Sequence, residues 1–226
     1  MTSSFLPGTP VVPRGAIVLL DPATGAVLRV IALQYNPDTL TRTLQPQGVG
    51  AEAGERSEAL RLKGPALETV KVDVELNATD QLEDPSGADA DSVARHGLLP
   101  VLAALDLLVN PTARALLDQD AAARSGAFEI APVEAPLTVF VWSRDRVVPV
   151  RITEFTVTEE AFDSQLHPIR AKVSLGLRIL TVDDLGFGHR GGALFLAHQR
   201  RREQLAALHR SARPATAVLG TPPGGG

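Results

Sequence analysis

The clearest pattern along the chain is strict alternation of apolar with polar residues over positions 69–79 and 169–180. Alternation with period two is typical of β-strands that have one buried face and one solvated face. Further apolar runs predict a short strand at 40–44 and longer strands at 15–21, 26–35, 137–142 and 147–158. We therefore predict a mainly β protein of the α+β class.

Turn residues indicate how these strands connect. The segment Asp21-Pro22-Ala23-Thr24-Gly25 separates the first two runs and predicts a β-hairpin, because proline presets a turn and glycine accepts a positive φ. Arg144-Asp145 predicts a second hairpin turn. In the run 147–158 the apolar residues change from even to odd positions, so we expect a β-bulge near Thr153-Glu154.

Helical patterns occupy the middle and the end of the chain. Leucines near helical spacing predict a helix over 98–109, with Pro100 disturbing its first turn, and an alanine-rich helix over 112–124. We divide the chain into an N-terminal arm (1–14), a β domain (15–185) with a helical insert (about 92–124), a hinge and basic helical extension (186–213) and a disordered Pro/Gly tail (214–226). Within the extension, glycines at 186–192 predict the hinge, and 193–210 the helix.

Composition excludes several classes of function. The 226 residues are 44% hydrophobic, which is enough for a core, and include no cysteine, so disulfides and thiolate sites are excluded. The net charge of −4 does not favour nucleic-acid binding. No apolar stretch approaches the roughly 20 residues of a membrane-spanning helix, and the N-terminus lacks the features of a signal peptide. We expect a cytoplasmic protein that does not insert into membranes.

No arrangement of residues predicts catalysis, a cofactor or a metal site. The five histidines form no HExxH or His-x-His motif. The glycines at 186–192 lack the Lys-Ser/Thr of a phosphate loop, which favours a flexible joint. The acidic residues of 80–91 do not match calcium-loop spacing, which favours a solvated loop. Trp142 fits core packing or a subunit contact at least as well as ligand stacking.

The charge is distributed unevenly. Residues 1–185 carry 16 basic and 25 acidic side chains, whereas residues 186–226 carry six arginines and one glutamate. A basic helix beside an acidic body suits docking to a neighbouring copy or another subunit, with a solvated helix face as the alternative. The candidate docking residues are Arg200, Arg201, Arg202, Leu205 and Leu208.

Four motifs follow one another along the chain: Asn36-Pro37, the strand Val70–Asp80, Val139-Phe140-Val141-Trp142 and Pro168-Ile169-Arg170-Ala171. With these motifs, the order of the elements resembles the tube-like domain of contractile injection systems, which are phage-tail-like particles. Within that family it resembles the adaptor that joins the inner tube to the spike and baseplate. The resemblance covers about residues 15–181, and the residues after Thr181 lack the length and strand pattern expected of the LysM domain that adaptors often carry.

The resemblance implies a phage tail-tube-like β-barrel or sandwich with a packed helix, in a ring of six copies within a particle in the bacterial cytoplasm. The implied partners are further copies of the chain, the inner tube protein, the spike or hub protein and other baseplate subunits. Loops 47–56 and 80–91 would make axial contacts. The candidates for lumen or subunit contacts are Asp73, Glu75, Arg170, Lys172 and Arg178, with an ordinary solvated sheet face as the alternative.

Two other functions stay open at this point. One is a cap or terminator ring at the opposite end of the same tube, which is also structural. The other is an independent β-sandwich binding module, for instance for carbohydrate, with an incidental basic tail.

Overall fold

The computed structural model describes residues 15–21, 23–33, 39–48, 61–79, 90–124 and 135–209. The predicted N-terminal arm, the Asn36-Pro37 corner, the Pro/Gly tail and most of loops 47–56 and 80–91 lie outside the described residues.

Seven described strands form one open antiparallel sheet. Its strand order is β2-β1-β5-β6-β7-β4-β3, so β2 and β3 are the edge strands. The strands are β1 (Ala16–Leu20), β2 (Val27–Ala32), β3 (Leu40–Gln45), β4 (Leu67–Asn77), β5 (Leu137–Ser143), β6 (Arg146–Phe162) and β7 (Pro168–Ile179). The helices are α1 (Ala90–His96), α2 (Leu99–Asp106), α3 (Ala113–Arg124), α4 (Val182–Leu185) and α5 (Arg190–Leu208). The prediction of a mainly β, α+β protein is confirmed.

The long strand β6 links the two halves of the sheet. Its first residues pair with β5, whereas the part from Val150 onward pairs with β7. The register shifts between Ile152 and Glu154, which confirms the predicted bulge. Gly176 lies opposite Glu154, and a Cβ at Gly176 would approach the Glu154 Cβ to 2.8 Å. The bulge therefore needs a residue without a side chain on the neighbouring strand.

The predicted hairpin between β1 and β2 is also confirmed. The Asp21 carboxylate accepts hydrogen bonds from the backbone N–H groups of Ala23 and Thr24 and from the Thr24 hydroxyl. These bonds hold the pKa of Asp21 below its usual value. Gly25 has a φ of +72°, the conformation that the sequence predicted for it.

The main core lies between the sheet and the helices that follow β4. The inward residues of β4, Val70, Val72, Val74 and Leu76, are buried as the alternation predicted. They share one hydrophobic cluster with the inward residues of β7, with Val93 of α1, with Leu98 between the two helices, and with Leu102 and Leu105 of α2. The predicted packing of this helical segment on the apolar face of the sheet is therefore confirmed.

The corner between α1 and α2 rests on the start of β7. Gly97 has a φ of +56°, and a Cβ there would lie 2.5 Å from the carbonyl oxygen of Pro168. The N–H of Leu98 donates to that same oxygen at 2.9 Å. Pro100 lies in the first turn of α2, where its missing N–H leaves no hydrogen bond unmade. The helix predicted over 98–109 is shorter, and the helical segment is divided into α1 and α2 before Pro100, where the sequence predicts a disturbance.

The C-terminal helices cover the other face of β1 and β5. Leu185 of α4 and Leu194 of α5 pack on a second cluster of Ala16, Val18, Leu137 and Val139. Two glycines of the predicted hinge, Gly191 and Gly192, lie buried in the first turn of α5. A Cβ on Gly192 would lie 2.1 Å from the carbonyl oxygen of Gly186. These two glycines permit close packing of α5 against α4, and movement about the segment 186–192 stays a prediction.

Candidate assembly surfaces

The charged face of β4, β6 and β7 brings together four of the five residues predicted for lumen or subunit contacts. On β4 and β7, Glu75 lies opposite Lys172, and Asp73 lies opposite Ser174. The Ser174 hydroxyl donates a hydrogen bond to the Asp73 carboxylate at 2.5 Å. Arg170 lies two residues before Lys172 on the same face of β7.

Ion pairs run between the strands of this charged face. Glu160 of β6 lies 3.3 Å from the Arg170 Nε and 3.1 Å from the Lys172 Nζ. Lys71 and Glu154 lie 3.1 Å apart, with 69% and 58% of their side chains exposed. Exposed pairs of this kind contribute about 0–1 kcal/mol each. The fold therefore depends little on them, and their charges are accessible to a neighbouring molecule.

Arg178, the fifth predicted residue, has a different environment. Its guanidinium donates to the Asp184 carboxylate at 2.7 Å. Asp184 also accepts from the Thr181 N–H at 2.9 Å, within the capping box that begins α4. Arg178 thus fastens α4 to β7 and is set apart from the ion pairs of the charged face.

The predicted docking residues of α5 divide into two groups. Arg201 donates to the Asp145 carboxylate at 2.7 Å, and Arg202 donates to the Glu68 carboxylate, so both bind acidic residues of their own chain. Arg200, Leu205 and Leu208 remain exposed, and their role in docking a partner stays a prediction. The face of α5 that packs on the rest of its own chain consists instead of Gly191, Gly192, Phe195 and His198.

Glu68 is a buried charge that the sequence reasoning missed. Only 3% of the residue is exposed, and its two carboxylate oxygens accept from Arg42 on β3, at 2.6 Å, and from Arg202 on α5. Burial raises the pKa of Glu68, but the hydrogen bonds and charges of the two arginines outweigh burial and hold that pKa below its usual value. A signal was available, since Glu68 has the same parity as the buried Val70.

His198 of α5 lies near Glu68 and Arg202 and is also buried. Neither of its ring nitrogens has a hydrogen-bond partner among the described residues. Burial lowers the pKa of His198, and the nearby charge of Arg202 lowers it further. Both effects favour the neutral imidazole over the charged form where α5 meets the sheet.

The edge strand β2 presents a second candidate surface. Val27, Leu28 and Val30 are exposed, with 54% of Leu28 accessible, although β2 is bonded to β1 along its other side. No described strand pairs with the outer edge of β2. An exposed apolar edge strand is a template for pairing with another chain. Beside it, a groove of about 580 Å³ is lined mainly by residues 107–112, which connect α2 to α3, while β2 contributes Leu28 and Arg29.

Two residues of the motifs that carry the family resemblance, Trp142 and Pro168, take part in packing within the subunit. Trp142 is partly buried against the core, with its ring centroid 5.8 Å from that of Phe140, which agrees with the core-packing alternative. Pro168 is buried and supports the α1–α2 corner through its carbonyl group. Asn36 and Pro37 lie outside the described residues.

Comparisons with known proteins do not identify a family. No protein-family model and no curated protein matches the chain. None of the described helices combines the length and apolar character needed to cross a bilayer. The described residues include no group of three or more His, Asp or Glu side chains arranged to hold a metal ion.

Proposed function

We propose that this chain is the structural subunit of a ring of six copies in a contractile injection system. The observation that carries the proposal is the open sheet whose edge strand β2 exposes Val27, Leu28 and Val30. Pairing of this edge with another copy would bury these side chains and complete the hydrogen bonds of the strand. The sheet would then take the tail-tube-like form that the resemblance implies.

The charged face supports the same proposal. Its ion pairs are exposed in the single subunit and can exchange partners with a neighbouring subunit at small cost. In a ring, a surface of this kind can line the lumen or contact the next ring. By the resemblance, the ring joins the inner tube protein to the spike or hub and to other baseplate subunits, and it templates assembly of the tube.

The test is the oligomeric state of the purified protein, measured by light scattering after gel filtration and by negative-stain microscopy. Rings of the full chain are expected. Leu28→Lys should abolish them, because it places a charge in the contact, whereas Leu166→Lys is the matched control, at a loop leucine that is 78% exposed. Both variants should remain folded, since both side chains are exposed in the subunit.

Three outcomes discriminate between functions. Rings that capture spike or baseplate subunits support the adaptor. Rings that bind only the distal end of the tube favour the cap or terminator. A protein that stays monomeric at high concentration, or rings that Leu28→Lys leaves intact, would contradict the proposed assembly and favour an independent binding module.

A further inference from the structure

The groove beside β2 continues into a second groove that crosses the sheet. The first has a volume of about 580 Å³ and the second about 440 Å³, and we call the two together the cross-strand groove. The lining residues that the two share are Leu108, Val109, Ala135, Pro136 and Thr138. The cross-strand groove passes over four neighbouring strands, from Leu28 on β2 to Ile152 on β6. Because neighbouring strands lie about 4.8 Å apart, it extends about 14 Å across the sheet.

The floor of the cross-strand groove includes a row of paired residues on the core side of the sheet. Leu19 of β1 pairs with Arg29 of β2 on one side and with Thr138 of β5 on the other. Two positions along the same strands, Ile17 and Phe140 belong to the main core, so the row lies on the same face of the sheet. The cross-strand groove is therefore an extension of the core face past the end of α2, and its walls are mostly apolar.

The titratable side chains that line the cross-strand groove are all basic. They are Arg29 in the first groove and Arg151 and His189 in the second, and no Asp or Glu of the described residues contributes to either lining. Neither arginine has a side-chain hydrogen bond or ion pair within the described part of the chain. Since the whole chain has 26 acidic and 22 basic residues, this groove differs in charge from the molecule around it.

His189 offers a hydrogen-bond donor in a fixed orientation. Its Nδ1 accepts from the Gly191 N–H at 3.0 Å, because His189 is the N-cap of α5. The proton of the neutral ring is therefore on Nε2, which donates in both charge states. Arg151 lines the same groove, and N–H donors of these two kinds form strong hydrogen bonds with carboxylate oxygens.

We propose that the cross-strand groove docks an extended apolar segment of a partner protein that carries a carboxylate at each end. One carboxylate would pair with Arg29, and the other with Arg151 and His189. Between them, apolar side chains of the segment would cover Leu28 and Val109, which are 54% and 44% exposed in the subunit. An extended chain rises about 3.3 Å per residue, so carboxylates four residues apart match the length of the groove. Docking of this segment does not depend on the proposed ring.

The test is isothermal titration calorimetry of dilute protein with the peptide acetyl-Glu-Leu-Val-Leu-Glu-amide. Its counterpart acetyl-Gln-Leu-Val-Leu-Gln-amide has the same shape without the charges. The glutamate peptide should bind with a Kd below about 1 mM, and the glutamine peptide at least about tenfold more weakly, because it lacks the charged hydrogen bonds. No binding of the glutamate peptide, or equal binding of the two, would overturn the proposal.

Variants of the groove locate the binding. Arg151→Glu and Val109→Lys should each weaken binding of the glutamate peptide at least about tenfold, since they reverse a charge or place one on the apolar wall. The matched controls are Arg114→Glu and Leu117→Lys on α3, whose side chains are exposed and do not line the groove. Circular dichroism confirms that all four variants fold. Normal binding by the groove variants, or equal weakening by the controls, would contradict this location.

Two further arms identify other occupants. Decanoate has an apolar chain with one carboxylate, and if it binds at least tenfold more tightly than the glutamate peptide, the groove takes an amphiphile and the proposal is overturned. Residues 125–134 of the chain itself precede Ala135 and include Glu129 and Glu134. If Glu129→Gln with Glu134→Gln raises peptide affinity at least tenfold, the chain occupies its own groove, and docking of a partner is again overturned. Because these measurements use dilute protein, failure of ring formation leaves them unaffected.

Discussion

Glu68→Gln is the substitution that most directly tests how the C-terminal helix is held. The carboxylate joins Arg42 on β3 to Arg202 on α5, which are otherwise distant in sequence. The glutamine has nearly the same shape but replaces one acceptor oxygen with an NH₂ group. That NH₂ group would face a guanidinium donor, and Arg42 and Arg202 would lose the negative charge that lies between them.

The expected cost follows from the burial of the three side chains. Removing one partner of a fully buried ion pair costs about 3–5 kcal/mol. Glu68 is almost fully buried, but Arg42 and Arg202 are 30% and 28% exposed, so water can solvate part of the charge that is set free. We therefore expect a loss of about 2–3 kcal/mol in the free energy of unfolding, or about 4–12 °C in Tm for a chain of this size.

The assay is urea denaturation followed by circular dichroism, with trypsin cleavage after Arg201 and Arg202 as a local measure of α5 docking. Glu154→Gln is the matched control, because it removes a carboxylate from an exposed pair with Lys71 and should cost less than about 0.5 kcal/mol. Equal stability of the two variants, or unchanged cleavage of α5 in E68Q, would refute the assignment of Glu68 as the anchor of this helix.

Two further predictions concern the same helix. Gly192→Ala should lower the free energy of unfolding by about 1–3 kcal/mol in urea denaturation, because the new Cβ would meet the Gly186 carbonyl. Gly188→Ala is the control and should be neutral, since a Cβ at Gly188 has open space around it. Equal effects of the two substitutions would contradict close packing at Gly192. The pKa of His198 is lower in the folded protein than in the unfolded chain, so the unfolded chain binds a proton at a higher pH. The free energy of unfolding should therefore fall as pH decreases below about 6.5. His198→Phe should flatten this part of the stability profile relative to wild type, and an identical profile would exclude His198 as the cause.

Local patterns predicted most of the sheet because strand alternation is a property of neighbouring residues. The buried face of β4, the bulge in β6 and the Asp21–Gly25 turn all follow from residues within a few positions of each other. The contact between Arg202 and Glu68 joins residues 134 positions apart, and no local pattern records such a pairing. A glutamate at the start of a strand is ordinarily exposed, and only the distant arginines make its burial favourable.

The role of Gly191 and Gly192 also depends on elements that a local pattern does not describe. Glycine permits flexibility, but it equally permits close approach, and the local sequence does not distinguish these uses. The neighbouring elements decide between them. Here Gly191 would contact Leu185 if it carried a Cβ, so the absence of a side chain allows α4 and α5 to pack together.

The positive charge of the C-terminal segment has a different meaning once these contacts are known. Of the six arginines in residues 186–226, Arg201 and Arg202 form ion pairs within the subunit, so part of the charge asymmetry of the sequence reflects attachment of the helix to its own chain. What remains for assembly is the apolar edge of β2 and the exposed ion pairs of the charged face. The first surface lies on β2 and the second on β4, β6 and β7, so contacts to neighbouring copies and contacts to other components can form on one subunit without competing for the same side chains.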